Sequence, residues 1–319
     1  MKKISVSLLL FSMLWLHPKE KFFSQVIIWG HPLHSHTHSY IHEAFYRAFN
    51  YLGYETYWVD SDEQITHLDL SKTLFITEGQ VSADVPKRSD CYYILHNCPI
   101  PFSECKYILL QVYTHDCLPY VTEKIDDFIY ANLQEKMIFM PWATDLLPDE
   151  IEAQKPAALK NFESNYSAWI GTIGEGVFGN KKELDPFIKA CNENDLSFSH
   201  YIHYSMESAI NLIASSYMAP AIQGLWQCEK GYIPCRIFKN ISYGQWGITN
   251  NKSVFDLFKG KIIYNSDTYQ LFYDAKKYIE GASIEDLYSL MDIVKNKHTY
   301  VQRIDVLLSF MKRALDIKD

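Results

Sequence analysis

The chain has 319 residues, 48% of them hydrophobic, which is enough for one large or two medium domains with substantial cores. Its formal net charge of −8 argues against a nucleic-acid partner, because neutralising a phosphate backbone takes a basic surface. Aromatic residues make up 15%, with 23 Tyr and 7 Trp, and serve cores first and sugar or base stacking second.

Residues 1–25, MKKISVSLLLFSMLWLHPKEKFFSQ, carry two lysines, an apolar run and a charged stretch, the layout of a signal peptide or short anchor. The run is too short for a membrane span, and no small-x-small cleavage site follows it. Seven cysteines, Cys91, Cys98, Cys105, Cys117, Cys191, Cys228 and Cys235, contain no CxxC pair, so buried free thiols in a reducing compartment are expected. These two signals conflict. A cytoplasmic or peripherally membrane-associated location is expected, with export left open.

A strand is predicted at VIIWG (26–30), followed by a loop with five histidines, His31, His34, His36, His38 and His42. A helix follows, with Ser39 as N-cap, Ala44, Phe45, Ala48, Phe49 and Leu52 on one face, and Gly53 at its C-terminal end. ETYWVD (55–60) reads as a second strand, making a β-α-β unit and therefore a parallel sheet. Further strands are read at TLFIT (73–77), CYYILHN (91–97), YILLQVY (107–113) and KMIFMPW (136–142). Proline and charge cluster over residues 146–165, read as a linker.

SAWIGTIG (167–174) begins a second alternating series. It continues as a helix at 181–194, a strand near 198–204, helices at 206–216 and 236–244, and strands at 246–250 and 261–265. Two long helices near 284–296 and 299–315 close the chain. The expected fold class is α/β, with two Rossmann-like doubly wound parallel-sheet domains facing a cleft. The boundaries are a signal-like or anchor-like segment 1–25, an N-terminal domain 26–147, a linker 148–165 and a C-terminal domain 166–319. Ligands of such sheets bind beyond the carboxyl ends of the strands. The histidine loop and the loop GTIGEGVFGN (171–180) each follow a first strand and so face the cleft from opposite sides.

Neutral imidazoles are common zinc ligands, and His36 and His38 as HTH resemble a strand-end metal pair. Such a site needs later ligands; His96, His115, Asp116 and His203 are the candidates, and none sits in a second recognisable motif. The alternative is acid–base work by one or two histidines near a helix N-terminus, with His36 and His38 ahead of His31. Across the cleft, Gly171, Gly174, Gly176 and Gly179 permit close backbone approach of a phosphate. The loop matches neither GxGxxG nor the P-loop. Arg236 and Lys239 lie three apart on a predicted helix and suit a diphosphate, Arg as a fork and Lys as a point charge. Tyr232 and Asn240 are placed to contact a base or sugar.

GYIPCRIFKNISYGQWGITNNKSVFDLF (231–258), then KIIYN, then KNKHTYVQRIDVLLSFM (295–311), resembles the C-terminal domain of group-1-type glycosyltransferases, nearest the spore-maturation CgeB-like branch. The matching features are Gly244 at a helix end, Ile248–Asn250 as a strand, Asp256 in FDLF, and His298, Thr299, Tyr300 and Arg303 in the late helix. MPWATDLLP (140–148) resembles the end of that family's first domain, so the likeness covers roughly residues 140–312 by sequence and the first domain by layout.

The resemblance implies a GT-B fold and transfer of a sugar from a nucleotide diphosphate donor to a glycan, lipid or protein acceptor. The donor would sit on Gly171, Thr172, Tyr232, Arg236, Lys239, Asn240 and Gly244, with His36 or His38 as catalytic residue at the acceptor hydroxyl. It implies no metal and no cofactor, the nucleotide sugar being a substrate. One departure stands out. Many group-1 enzymes carry a ribose-binding glutamate where this chain has Lys239, and a lysine has no acceptor for those hydroxyls. The runners-up are a metal-dependent hydrolase built on the histidines and a non-catalytic nucleotide- or glycan-binding protein.

Overall fold

The computed structural model describes residues 21–98, 102, 104–113, 115 and 118–318; most of the signal-like segment, Asp116 and Cys117 lie outside them. β1 (Val26–Trp29) is buried along its whole length, as a central strand of a covered parallel sheet should be. α1 (Ser39–Tyr51) returns the chain to β2 (Thr56–Val59), parallel to β1 on one side, while β3 (Leu74–Glu78) lies parallel on the other. β4 (Tyr92–His96) and β5 (Lys106–Gln111) continue the parallel set. A hairpin of β6 (Glu123–Asp126) and β7 (Ile129–Asn132) precedes β8 (Met137–Phe139), which inserts parallel to β5. The eight-stranded sheet has the order β2-β1-β3-β4-β5-β8-β7-β6 and is mostly parallel.

Alternation along the strands divides the core. Val26, Ile28, Ile76 and Ile94 join the cluster under α1, whereas Ile27, Trp29, Phe75 and Tyr93 fill the opposite face. The segment read as a linker holds α2 (Pro148–Gln154) followed by 3-10 turns over Lys155–Glu163. Pro148 enters at the first helical position, where its missing N–H costs nothing.

The second series starts with β9 (Tyr166–Ile170), α3 (Lys181–Glu193) and β10 (Ser197–Tyr201), with β10 parallel to β9. α4 (Met206–Ala214), α5 (Leu225–Glu229) and α6 (Cys235–Ser242) follow, then β11 (Ile248–Thr249), α7 (Lys252–Leu257) and β12 (Ile263–Tyr264), with β12 parallel to β11. Residues 217–221 tie the two strand pairs together. Ala168 N–H donates to Met218 O at 3.0 Å and Ala221 N–H to Ile248 O at 2.8 Å, both at parallel bridges.

α8 (Thr268–Gly281) and α9 (Ile284–Lys297) complete this core, and α10 (Tyr300–Ala314) leaves it. Tyr300, Ile304, Leu307, Phe310 and Met311 of α10 pack into the first cluster with Ala44, Phe45 and Phe49 of α1. At the crossover His298 is buried against Phe238 (4.6 Å between centroids) and Phe128 (4.8 Å). Buried Arg303 donates to Pro141 O (2.9 Å), Lys297 O (2.9 Å) and Trp142 O (3.2 Å). No helix among the described residues is long and apolar enough to cross a membrane.

Candidate functional site

The histidine loop begins at the carboxyl end of β1, where Gly30 (φ +85°), His31 (φ +52°) and His34 (φ +68°) take left-handed conformations. Side chains resist that region, and two such residues in four turn the loop back over the strand ends. Four rings are drawn together: His31 stacks on His36 (4.6 Å), His36 on His38 (5.1 Å), and His38 lies 5.2 Å from His96 at the end of β4. His36 Nδ1 and His38 Nδ1 are 3.2 Å apart, and His36 Nδ1 also accepts the His38 backbone N–H. The N-cap of α1 is His38 rather than Ser39, whose hydroxyl donates to His36 O at 2.6 Å and fixes the same turn.

Glu78, the last residue of β3, accepts from His31 Nε2 at 3.0 Å and from Gln80 N–H at 3.0 Å. Burial raises its pKa, but these bonds and the nearby imidazoles outweigh that and leave the carboxyl below its ordinary value. Two histidines are committed to backbone. His42 Nδ1–H donates to Gly30 O (2.9 Å), and His96 Nδ1–H donates to Leu110 O (3.1 Å) while Asn97 donates to its Nε2 (3.0 Å). Burial, reinforced by His96, pushes His38 down to about 3, and burial pushes His42 down to about 4 against the bond to Gly30. Burial, then His31, lowers His36 as well, so these rings are neutral near pH 7.

On the other side, Gly171 (φ +111°) follows β9, and a Cβ there would come within 2.7 Å of Arg236 Nη2. Arg236, on the first turn of α6, lies flat over Trp169 at 3.8 Å and donates to Ile170 O from Nη2 (2.9 Å) and Nε (3.3 Å). Gly171 O in turn accepts from Trp169 Nε1 (3.0 Å) and His200 Nε2 (2.9 Å). Burial lowers the Arg236 pKa without threatening its charge. Thr172 is exposed beside this turn. Gly174, Gly179 and Gly224 are explained by packing, since a Cβ on Gly179 would lie 2.1 Å from Gly174 O and one on Gly224 2.0 Å from Gly179 O.

The basic pair is split. Lys239 turns from Arg236 to Asp145 (2.7 Å), whose carboxylate also accepts from Tyr243 (2.7 Å). Burial opposes both charges, yet each holds the other ionised: Asp145 lies below its ordinary pKa and Lys239 above its own. Asn240 is buried and donates to Ala219 O (2.8 Å), which leaves it no edge for a base or sugar. Gly244 (φ +96°) ends α6 against Ala158. Tyr232 packs on Tyr113 (5.3 Å), and its carbonyl accepts from Gln223 and Asn251.

Residues that follow strands of the two sets meet at a junction. Beyond β1, His34 lies 6.2 Å from His203 beyond β10, and Arg47 reaches Met206 at 3.0 Å. Beyond β5, Tyr113 bridges Tyr232 and contacts Trp226 (5.3 Å), while His115 Nδ1–H donates to Glu229 O (2.9 Å). His115 and His203 therefore line this junction and do not join the His31–His36–His38 group. A hollow of about 680 Å³ lined by Lys87, Arg88 and Asp90 lies at the opposite, amino ends of β4 and β5.

Sequence reading did not single out Glu78, Trp169 or Asp145. Glu78 carried a signal, an acidic residue before glycine at the end of an apolar run; Trp169 and Asp145 matter through contacts across the chain that no local pattern announces. No protein-family model matches this chain, and no curated protein matches it.

Proposed function

We propose that the chain is a glycosyltransferase that takes a nucleotide diphosphate sugar as donor and passes the sugar to a glycan, lipid or protein hydroxyl. The observation that carries this reading is the placement of Arg236, at a helix start, against Trp169 and the glycine turn that follows β9. Arg236 uses two of its five N–H donors on Ile170 O, and the rest of the fork suits a diphosphate oxygen. Stacking on Trp169 holds that fork in place before a ligand arrives.

The likeness of residues 140–312 to group-1-type glycosyltransferases supports the same reading, with a GT-B arrangement of two Rossmann-like domains and α10 crossing back. Gly171 and Thr172 would lie along the diphosphate, and His36 or His38, neutral at pH 7, would orient or deprotonate the acceptor hydroxyl. Lys239 is a positioning residue, because its charge is already met by Asp145. The assay is release of nucleoside diphosphate from a panel of nucleotide sugars, with and without an acceptor mixture. One donor class should be consumed, and Arg236→Ala should slow its consumption about tenfold to a hundredfold, the loss expected for one charge-assisted hydrogen-bonding group. Consumption of no donor, or full activity in Arg236→Ala, would overturn the proposal.

A further inference from the structure

We infer that His31, His36 and His38 form a binding site for one divalent transition-metal ion of the zinc class, with Glu78 behind His31 as its supporting carboxylate. One ring nitrogen from each of the three histidines lies within 4.8 Å of the others, close enough for small ring rotations to bring all three to the roughly 2.0–2.1 Å of zinc–nitrogen bonds. His36 Nδ1 and His38 Nδ1 lie 3.2 Å apart, and an ion bound between the rings would replace the hydrogen bonds that His36 Nδ1 now accepts.

The buried carboxylate supplies the second argument. Glu78 is 4% exposed, and the ion pair it makes among the described residues is with His31, whose charge depends on protonation. A divalent ion on the far side of the His31 ring would place positive charge close to this buried carboxylate. The bond from His31 Nε2 commits that nitrogen to Glu78 and leaves Nδ1 for the ion, the carboxylate–histidine–metal order that fixes tautomer and ring direction. His42 and His96 are fixed by bonds to backbone carbonyls and serve as walls. Imidazole ligands select zinc, copper, nickel or cobalt over calcium or magnesium.

Three protein ligands leave at least one coordination position open, the pattern of catalytic rather than structural zinc. The binding site stands independently of sugar transfer. Only its use rests on the transferase reading: there the ion, in place of a free His36 or His38 ring acting as base, would acidify an acceptor hydroxyl at the open position.

The test uses the full chain after treatment with chelator, titrated with zinc and separately with cobalt. One ion per chain should bind, and cobalt should give the visible absorption of a low-coordinate nitrogen and oxygen site. His36→Ala and His38→Ala should each abolish stoichiometric uptake, Glu78→Gln should weaken it about 10- to 100-fold, and His67→Ala, on an exposed turn, should leave it unchanged. Carbethoxylation of the unmutated protein, mapped by mass spectrometry, guards against variants that fail to fold. Zinc should shield His31, His36 and His38 while His67 and His200 stay reactive. Absence of stoichiometric uptake, uptake unaltered in the double variant His36→Ala/His38→Ala, or equal reactivity of all five histidines with and without zinc would overturn the inference. Nucleotide-sugar consumption is measured separately, so failure of either proposal is distinguishable from failure of the other.

Discussion

Gly171 is where one missing side chain does the most. Its φ of +111° and the 2.7 Å approach of Arg236 Nη2 mean that Gly171→Ala both strains the backbone and displaces the guanidinium. Calorimetry with a nucleoside diphosphate should show Gly171→Ala binding as weakly as Arg236→Ala; unchanged affinity would separate the glycine from the site. His298 offers a different test, because its role is stability. Burial first, then the neighbouring Arg303 and Lys297, hold its pKa well below 6.5. The unfolded chain therefore binds that proton first, so the contribution is intact above about pH 6.5 and is lost as pH falls toward the folded pKa. Urea unfolding at pH 7, 6 and 5 should show stability declining, with His298→Gln flattening the slope by up to about 1.4 kcal/mol per pH unit. Residue type and spacing singled out Arg236, Lys239, Gly171 and the histidines of the loop as candidates. Trp169 against Arg236, Glu78 against His31 and Asp145 against Lys239 were not, because they reach them through the fold.

At the scale of elements, α6 is the hinge between chemistry and stability. Arg236 lies against Trp169 and the glycine turn after β9, whereas Lys239 anchors the helix to Asp145, which follows β8. Lys239→Ala leaves a buried carboxylate unpaired and should cost about 3–5 kcal/mol in urea unfolding, with part restored by adding Asp145→Asn. A lysine serving only the ligand would give little stability loss and a large fall in nucleotide affinity. The strands of the first sheet were legible as apolar runs between turn residues. The hairpin β6–β7 was not, because its sequence EKIDDFIYAN mixes charge and apolar residues with weak alternation. α8 was missed for a related reason: its aromatic residues weaken the helical pattern, and Asp267, which caps it by accepting from Tyr269 and Gln270 N–H, lies among other polar residues.

At the scale of the molecule, the C-terminal helix α10 closes the first core after the chain has built the second. Leu307 is fully buried between α1 and the sheet, and Leu307→Ala should cost about 2–5 kcal/mol in global unfolding even though it lies far along the chain from both loops. The alternation of strands and helices made the α/β class readable, whereas the return of α10 depends on which face of a distant sheet lacks a cover. That depends on tertiary packing. The most direct test of function is calorimetric titration of the full-length protein with nucleoside diphosphates and nucleotide sugars, repeated with Arg236→Ala. One nucleotide class should bind the unmutated protein, and Arg236→Ala should bind it about tenfold to a hundredfold more weakly while melting at a similar temperature. Binding of no class, or equal binding by both proteins, would contradict the assignment of this junction as a nucleotide-sugar site.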